Sequence, residues 1–241
     1  MYNSFLKPIF GDIKTLVLDT LFPISCLGCG TEGKYVCSVC QSKLTFNPEQ
    51  ICIVCKKPSL AGLTHPKCQS PHTADQLVCI YDYNDEIISR LIIRGKYYFI
   101  PDIFKLFGEI MAPKLQADYP TLIKPSEIVL APVPLHKWRQ RWRGFNQAQV
   151  LCESLAKSMD IKEASLLKRQ KFTRTQKDLE KTERQKNTAN AFCLLPDADV
   201  KNQTVILVDD VATTGSTLLE AAKVLKRNST AKVVCLAIAR D

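Results

Sequence analysis

A parallel β-sheet flanked by helices, preceded by a small Cys-rich module, is the fold class this 241-residue sequence predicts. Three observations lead there. Apolar runs such as Val205–Val208 and Ile128–Ala131 read as buried strands, and stretches of helical period lie between them, the pattern of an α/β domain. The run at Val205 leads into two adjacent acids, a hydroxyl-rich turn and a helix, which puts polar groups at the carboxyl end of a buried strand. Seven of the eleven cysteines crowd between positions 26 and 68.

The strand–turn–helix stretch organises the chain. Val205-Ile206-Leu207-Val208 is expected to end abruptly at Asp209 and Asp210. Thr213, Thr214, Gly215, Ser216 and Thr217 form the turn, and Leu218, Leu219, Ala222, Val224 and Leu225 recur at helical spacing. A helix start offers unpaired N–H groups and partial positive charge, which suits a phosphate. Gly215 allows close backbone approach, and the hydroxyls add donors. Carboxylates only accept hydrogen bonds, so the acids suit sugar hydroxyls or an oxygen-preferring cation. A phosphorylated sugar with magnesium satisfies both halves. The plainer alternative is a solvated strand end with a capped helix. A P-loop is excluded because Gly-x4-Gly-Lys is absent. A receiver domain would carry its paired acids near the start of the domain, whereas these lie near residue 241.

Val205 to Thr217 resembles the phosphoribosyl diphosphate (PRPP) signature of type I phosphoribosyltransferases. The resemblance implies that Asp209 and Asp210 hold the ribose 2′- and 3′-hydroxyls, and that Thr213, Thr214, Gly215, Ser216 and Thr217 hold the 5′-phosphate.

Length suits one large domain, or a medium domain with a small one. Lys and Arg exceed Asp and Glu by 33 to 24, a net charge of +9 that favours an anionic partner. Residues 1–23 carry spaced apolar side chains broken by Lys7, Asp12, Lys14 and Asp19, and read as an amphipathic helix rather than a signal peptide. No window is long and apolar enough to span a bilayer, so a cytoplasmic location is expected. The expected division is a helix over 1–23, a Cys-rich module over 24–74 and the α/β domain over 75–241.

Cys26-x2-Cys29, Cys37-x2-Cys40 and Cys52-x2-Cys55 are followed by Cys68. In a reducing compartment such pairs aim two thiolates at one tetrahedral ion, so structural zinc is expected. Cys26, Cys29, Cys37 and Cys40 complete one set. Cys52, Cys55 and Cys68 need a fourth ligand, for which His65 and His72 both have workable spacing. The module has too few apolar residues for a core of its own, and zinc supplies the missing stability. Cys79, Cys152, Cys193 and Cys235 sit singly in apolar runs and are expected to be buried packing residues.

Further along, strands are expected at Leu77–Tyr83, Ile128–Ala131, Ser165–Leu167 and Lys232–Ala239, and helices at Glu86–Ile93, Ile103–Leu115 and Gln147–Met159. Leu135 to Gln147 holds both tryptophans, Trp138 and Trp142, among Lys137, Arg139, Arg141 and Arg143. Arg139 and Arg143 suit a diphosphate. Alternating Arg and Trp equally suits single-stranded DNA, with charge for the backbone and rings for stacking. The plain alternative is a helix edge with both Trp side chains packed inward. Lys168 to Asn190 is basic and nearly devoid of apolar residues; such a run is commonly only a solvated disordered loop, while its place between the strand at Ser165–Leu167 and the strand at Val205 suggests a mobile flap over the site, in the manner of lids that exclude water.

Phe22-Pro23 before the Cys pairs, Arg143-Gly144-Phe145-Asn146-Gln147, Arg184-x2-Asn187 and the Asp-Asp-x2-Thr-Thr-Gly-Ser-Thr loop together resemble the ComF family, including its GntX-like branch. The likeness spans nearly the whole chain. It implies a zinc ribbon joined to a phosphoribosyltransferase-like domain, a role in natural competence (the uptake and use of external DNA), and partners among other DNA-uptake proteins. This chain departs from the family's last metal pair, where Pro71 and His72 replace the usual second Cys.

Overall fold

The computed structural model describes residues 24–46, 49–122, 128–170, 190–228 and 232–241. The helix expected over 1–23 and most of the basic flap, 171–189, lie outside the described residues. The chain forms two compact units, residues 1–44 and 45–241. In the first, a bridge joins Ser25 to Glu32, and a single helical turn, α1 (Ser38–Gln41), follows Cys37. Its described core is small, with Val36 and Leu44 buried beside Cys26 and Cys40.

The second unit is built on a five-stranded parallel sheet. Its strands are β1 (Gln76–Asp82), β2 (Ile128–Pro132), β3 (Lys162–Glu163), β6 (Thr204–Ala212) and β7 (Lys232–Arg240), in the order β1-β7-β6-β2-β3. Two further strands, β4 (Leu167–Arg169) and β5 (Phe192–Leu194), pair antiparallel outside it. The strand expected at Ser165–Leu167 thus lies two residues later. Leu167 and Arg169 point inward and Lys168 outward, and that alternation fixes the pairing.

Alternation also sorts the main sheet into two faces. Val78, Leu130, Ile206, Val234 and Leu236 lie under Leu115 of α3 (Asp102–Asp118) and Met159 of α5 (Gln147–Met159). Leu77, Cys79, Val129, Ala131, Val205, Leu207, Val233 and Cys235 lie under Leu218, Ala222 and Leu225 of α6 (Ser216–Arg227). Every central strand is therefore buried on both sides, which is why its sequence reads as a continuous apolar run. Of the single cysteines, Cys79, Cys152 and Cys235 are buried as expected, but Cys193 on β5 is only half-buried.

α2 (Glu86–Tyr97) runs a full turn beyond its expected end at Ile93. Asp85 caps its start by accepting from the N–H groups of Ile87 and Ile88, at 2.9 and 3.1 Å. Arg94 and Lys96 in its last turn complement the carbonyl end. Gly95 lets it approach α3, since a Cβ there would stand 2.7 Å from Phe104 Cε2. Gly108 does the same between α3 and α5, where a Cβ would meet Ser154 Cβ at 2.4 Å. Ser154 Oγ donates to the Lys105 carbonyl at 2.8 Å across that contact. Gly108→Ala is expected to force the helices apart at a cost of about 1–3 kcal/mol. Thermal denaturation of the purified chain checks this, and an unchanged midpoint would contradict the close approach.

Candidate functional site

Chain direction singles out one edge of the sheet. From β2 the chain leaves through α4 (Lys137–Arg143) and α5 toward β3, whereas from β6 it leaves through α6 toward β7, on the other side. β2 and β6 are neighbours, so the crevice beyond their carboxyl ends is a topological switch point, where ligands of open α/β sheets bind. Both acids stand there. The strand does not stop at them, however. β6 continues to Ala212 because β7 keeps pairing alongside, with Asp209 opposite Ala237 and Val211 opposite Ala239.

Neither acid faces bulk solvent. Asp210 Oδ1 lies 2.9 Å from Lys96 Nζ at the end of α2, with both side chains at most one-fifth exposed. Asp209 Oδ1 accepts from the Asp210 N–H at 2.9 Å. Burial first, and the Asp210 charge second, push the Asp209 carboxyl up to about 7, against the smaller pull of Lys96 and Arg169. The guanidinium of Arg143 also acts on Asp210. Burial lowers the pKa values of Arg139, Arg143 and Arg169, and Arg143 Nε is buried with no hydrogen-bond partner among the described residues. The acids therefore sit in a collar of cations drawn from α2, α4 and β4. Sequence alone does not mark Lys96 as a partner of the acids, and Arg169 reads there only as one basic residue of the expected flap. The run Arg94-Gly95-Lys96 at a helix end was the available signal for the first.

The hydroxyl turn opens onto α6 as expected, with one difference. The residue before the helix is Gly215, in the left-handed region at φ 69°, so no side chain caps α6 directly. Thr214 serves instead. Its Oγ1 lies 2.9 Å from Ser216 Oγ and accepts from the Ser216 N–H at 3.4 Å. Thr213, Thr214 and Thr217 are half-buried, Gly215 and Ser216 buried.

The Arg/Trp stretch forms α4, opened by His136 Nδ1 accepting from the Trp138 N–H at 3.2 Å and closed by Gly144 at φ 79°. Trp138 is 60% and Trp142 55% exposed, so the inward-packed alternative does not hold. Phe99 meets the Trp142 ring edge-on at 5.2 Å, and Arg94 lies 4.4 Å from the centre of the Tyr98 ring. Tyr97, Tyr98 and Phe99, all exposed, add aromatic surface that the sequence reading did not include.

The cysteines gather into two clusters, Cys26, Cys29, Cys37 and Cys40 in the first unit and Cys52, Cys55, His65 and Cys68 in the second, each with ligand atoms within 4.8 Å of one another. Ligands ~2.3 Å from a tetrahedral zinc lie about 3.8 Å apart. The Cys29 and Cys37 sulfurs are 3.6 Å apart, and Cys55 Sγ is 3.3 Å from His65 Nδ1. His65 Nε2 is 3.1 Å from the Pro58 carbonyl, the outer hydrogen bond that orients a metal-ligating imidazole. His65, and not His72, is therefore the fourth member of the second cluster. Burial pushes Cys26 and Cys52 up, but backbone N–H donors outweigh it and bring them down to about 6 and 7. Burial and neighbouring thiols raise Cys40 to about 12 and Cys68 to about 11. Thiols that crowd each other this way fit a zinc ion, which would supply the missing charge.

Residues 146–241 match the phosphoribosyl transferase domain, and residues 17–79 the double zinc ribbon domain. The chain is 34% identical over 223 residues to competence protein F of Haemophilus influenzae, covering 89% of this chain and 90% of that one. It is 33% identical over 207 residues to the DNA utilization protein YhgH of Escherichia coli, covering 82% and 87%. Competence protein ComFC of Bacillus subtilis is 31% identical over 224 residues, covering 86% and 84%. Among the described residues no helix is long and apolar enough to cross a membrane.

The raised Asp209 carboxyl has a consequence for stability. The folded chain holds its proton more tightly than the unfolded chain, so the penalty for charging it is complete above about pH 7 and fades as pH falls toward 4. In magnesium-free buffer, Asp209→Asn is expected to stabilise the protein at pH 8 by about 1 kcal/mol or more. The gain should vanish near the pH where unfolded Asp is itself protonated. Paired melting curves at the two pH values check it.

Proposed function

Because the chain belongs to the family of competence protein F, the DNA utilization protein YhgH and competence protein ComFC, and carries a phosphoribosyl transferase domain, we propose that it binds PRPP with magnesium in the service of DNA uptake or use. The observation that carries this reading is the pair of half-buried acids beside the hydroxyl turn, at the switch point of the sheet. Asp209 and Asp210 take the ribose hydroxyls. Thr213, Thr214, Gly215, Ser216 and Thr217 take the 5′-phosphate at the start of α6, where helix polarity favours an anion.

The acids fit magnesium as well, being oxygen donors at a site already built to hold cations. Bound there, magnesium supplies positive charge to the sugar diphosphate. Arg139 and Arg143 take the diphosphate in this reading; it is supported by the interaction of Arg143 with Asp210 and by the buried Arg143 Nε–H, which has no partner among the described residues. In phosphoribosyl transfer, C1 of the ribose gains positive charge as diphosphate leaves, and stabilising such developing charge is usually the largest catalytic contribution. Asp209→Asn with Asp210→Asn should abolish magnesium-dependent PRPP binding in calorimetry. Undiminished binding would end this reading.

A second reading is favoured by the exposure of Trp138 and Trp142: single-stranded DNA lies on α4 and the neighbouring aromatic residues. Stacking on an aromatic ring is worth about 1–3 kcal/mol per base, and basic side chains between the rings hold the phosphates. Affinity for a single-stranded oligonucleotide should fall with salt at a log–log slope of about −0.7 per neutralised phosphate. Trp138→Ala with Trp142→Ala should weaken it at least ten-fold. Equal affinity for the native and doubly substituted chains would remove the platform.

A further inference from the structure

The two Cys-x2-Cys turns of this chain are built alike. In the first, Cys26 accepts at its carbonyl from the Gly30 N–H at 2.8 Å and donates its own N–H to the Thr31 carbonyl at 2.8 Å. In the second, Cys52 accepts from the Lys56 N–H at 2.9 Å and donates to the Lys57 carbonyl at 2.9 Å. The residue after the second cysteine must enter the left-handed region in both, at φ 80° for Gly30 and 64° for Lys56. Glycine enters it without penalty, whereas a residue with a Cβ is strained there. The second turn therefore carries a lysine where backbone geometry favours glycine.

The side chain of that lysine reaches the hydroxyl turn. A Cβ added at Gly215 would stand 3.1 Å from Lys56 Nζ and 3.2 Å from Ile53 Cγ1. Ile53, at the tip of the same Cys turn, is fully buried in the core beneath α6 with Leu218 and Ala222. The turn is thereby wedged against the start of α6, and the Lys56 ammonium, which donates to the Ile53 carbonyl, lies against Gly215. A side chain at Gly215 would press on this contact and would also be strained by the backbone there, at φ 69°.

We infer that Lys56, held by the Cys52/Cys55/His65/Cys68 cluster, is a further binding residue of the phosphate turn, supplying from the zinc ribbon a cation to the anion bound at Thr213–Thr217. The inference rests on the PRPP reading above. It assigns to the second metal cluster a part in ligand binding: metal at these four residues fixes the Cys turn, and the turn places the ammonium. The domain match alone gives no cation here, because residues 146–241 do not include the ribbon.

Lys56→Gly separates this role from a structural one, because it relieves the backbone as Gly30 does in the first turn. The test uses the full, zinc-loaded chain, with PRPP and magnesium, and with ribose 5-phosphate alone, titrated by calorimetry. Zinc content is measured on the same samples. Lys56→Gly should keep its zinc and its thermal midpoint, yet bind ribose 5-phosphate roughly ten- to a hundred-fold more weakly, the usual loss for one charged hydrogen bond. Lys56→Arg should restore most of the affinity. Unaltered affinity in Lys56→Gly overturns the inference while leaving the PRPP reading in place, and so does a loss of affinity accompanied by loss of zinc. A native chain that binds neither ligand removes the PRPP reading itself, and this inference with it.

Discussion

Two carboxylates on consecutive residues of a buried strand repel each other, and the sequence keeps both. Everything around Asp209 and Asp210 answers that repulsion. Lys96 comes from the last turn of α2, Arg143 from α4 and Arg169 from β4, so three separate elements converge on one strand end. A site like this is costly when empty, because burial raises the energy of each charge and the compensating cations must be ordered in turn. Such an arrangement is the usual signature of a functional centre rather than of a stabilising one. It also accounts for the length of α2: one turn shorter, it would leave Asp210 without its 2.9 Å partner.

The sheet makes this convergence possible. Parallel strands deliver all their carboxyl ends to one edge, and the connections after β2 and β6 leave to opposite sides, which opens a crevice between them. The hydroxyl turn is set at that edge by the same strand that carries the acids. The acids and the hydroxyl turn are therefore only a few residues apart in the chain.

Much of this was legible in one dimension. The acids, the turn, the helix after it and the buried strands all announce themselves by residue type and period, since each depends on local backbone geometry. Seven cysteine ligands were equally plain from spacing. What escaped depends on contacts between distant segments. Lys96 is an ordinary lysine at a helix end until the fold brings Asp210 to it. His65 and His72 have equivalent spacing from Cys68, and only the Pro58 carbonyl and the position of Cys55 distinguish them. The exposure of Trp138 and Trp142 was undetermined for a related reason: four residues apart, the two rings share one face of α4, and a helix of seven residues does not itself say whether that face packs inward or lies open. β6 outlasted its acids because its end is set by the partner strand β7, and a strand's own sequence does not contain its partner.

Strand β1 shows why the second Cys cluster belongs to the larger unit. β1 is an edge strand of a parallel sheet, and an uncovered edge invites pairing with other chains. Here the ribbon covers it. Gln50 bonds the backbone of Cys79 through both ends of its amide, at 2.9 and 3.1 Å, as a neighbouring strand would. Leu63 bridges Gln76, whose side chain donates to the Ala61 carbonyl at 2.7 Å. Gly62 lies so close that a Cβ would sit 1.8 Å from the Leu77 carbonyl oxygen. Ile53 and Ala74 anchor this loop in the core, and the four clustered side chains Cys52, Cys55, His65 and Cys68 fit a metal that would add rigidity. Closing the sheet edge and bracing the start of α6 are then two consequences of one metal-stabilised turn, so loss of its ligands would damage the scaffold and the site together.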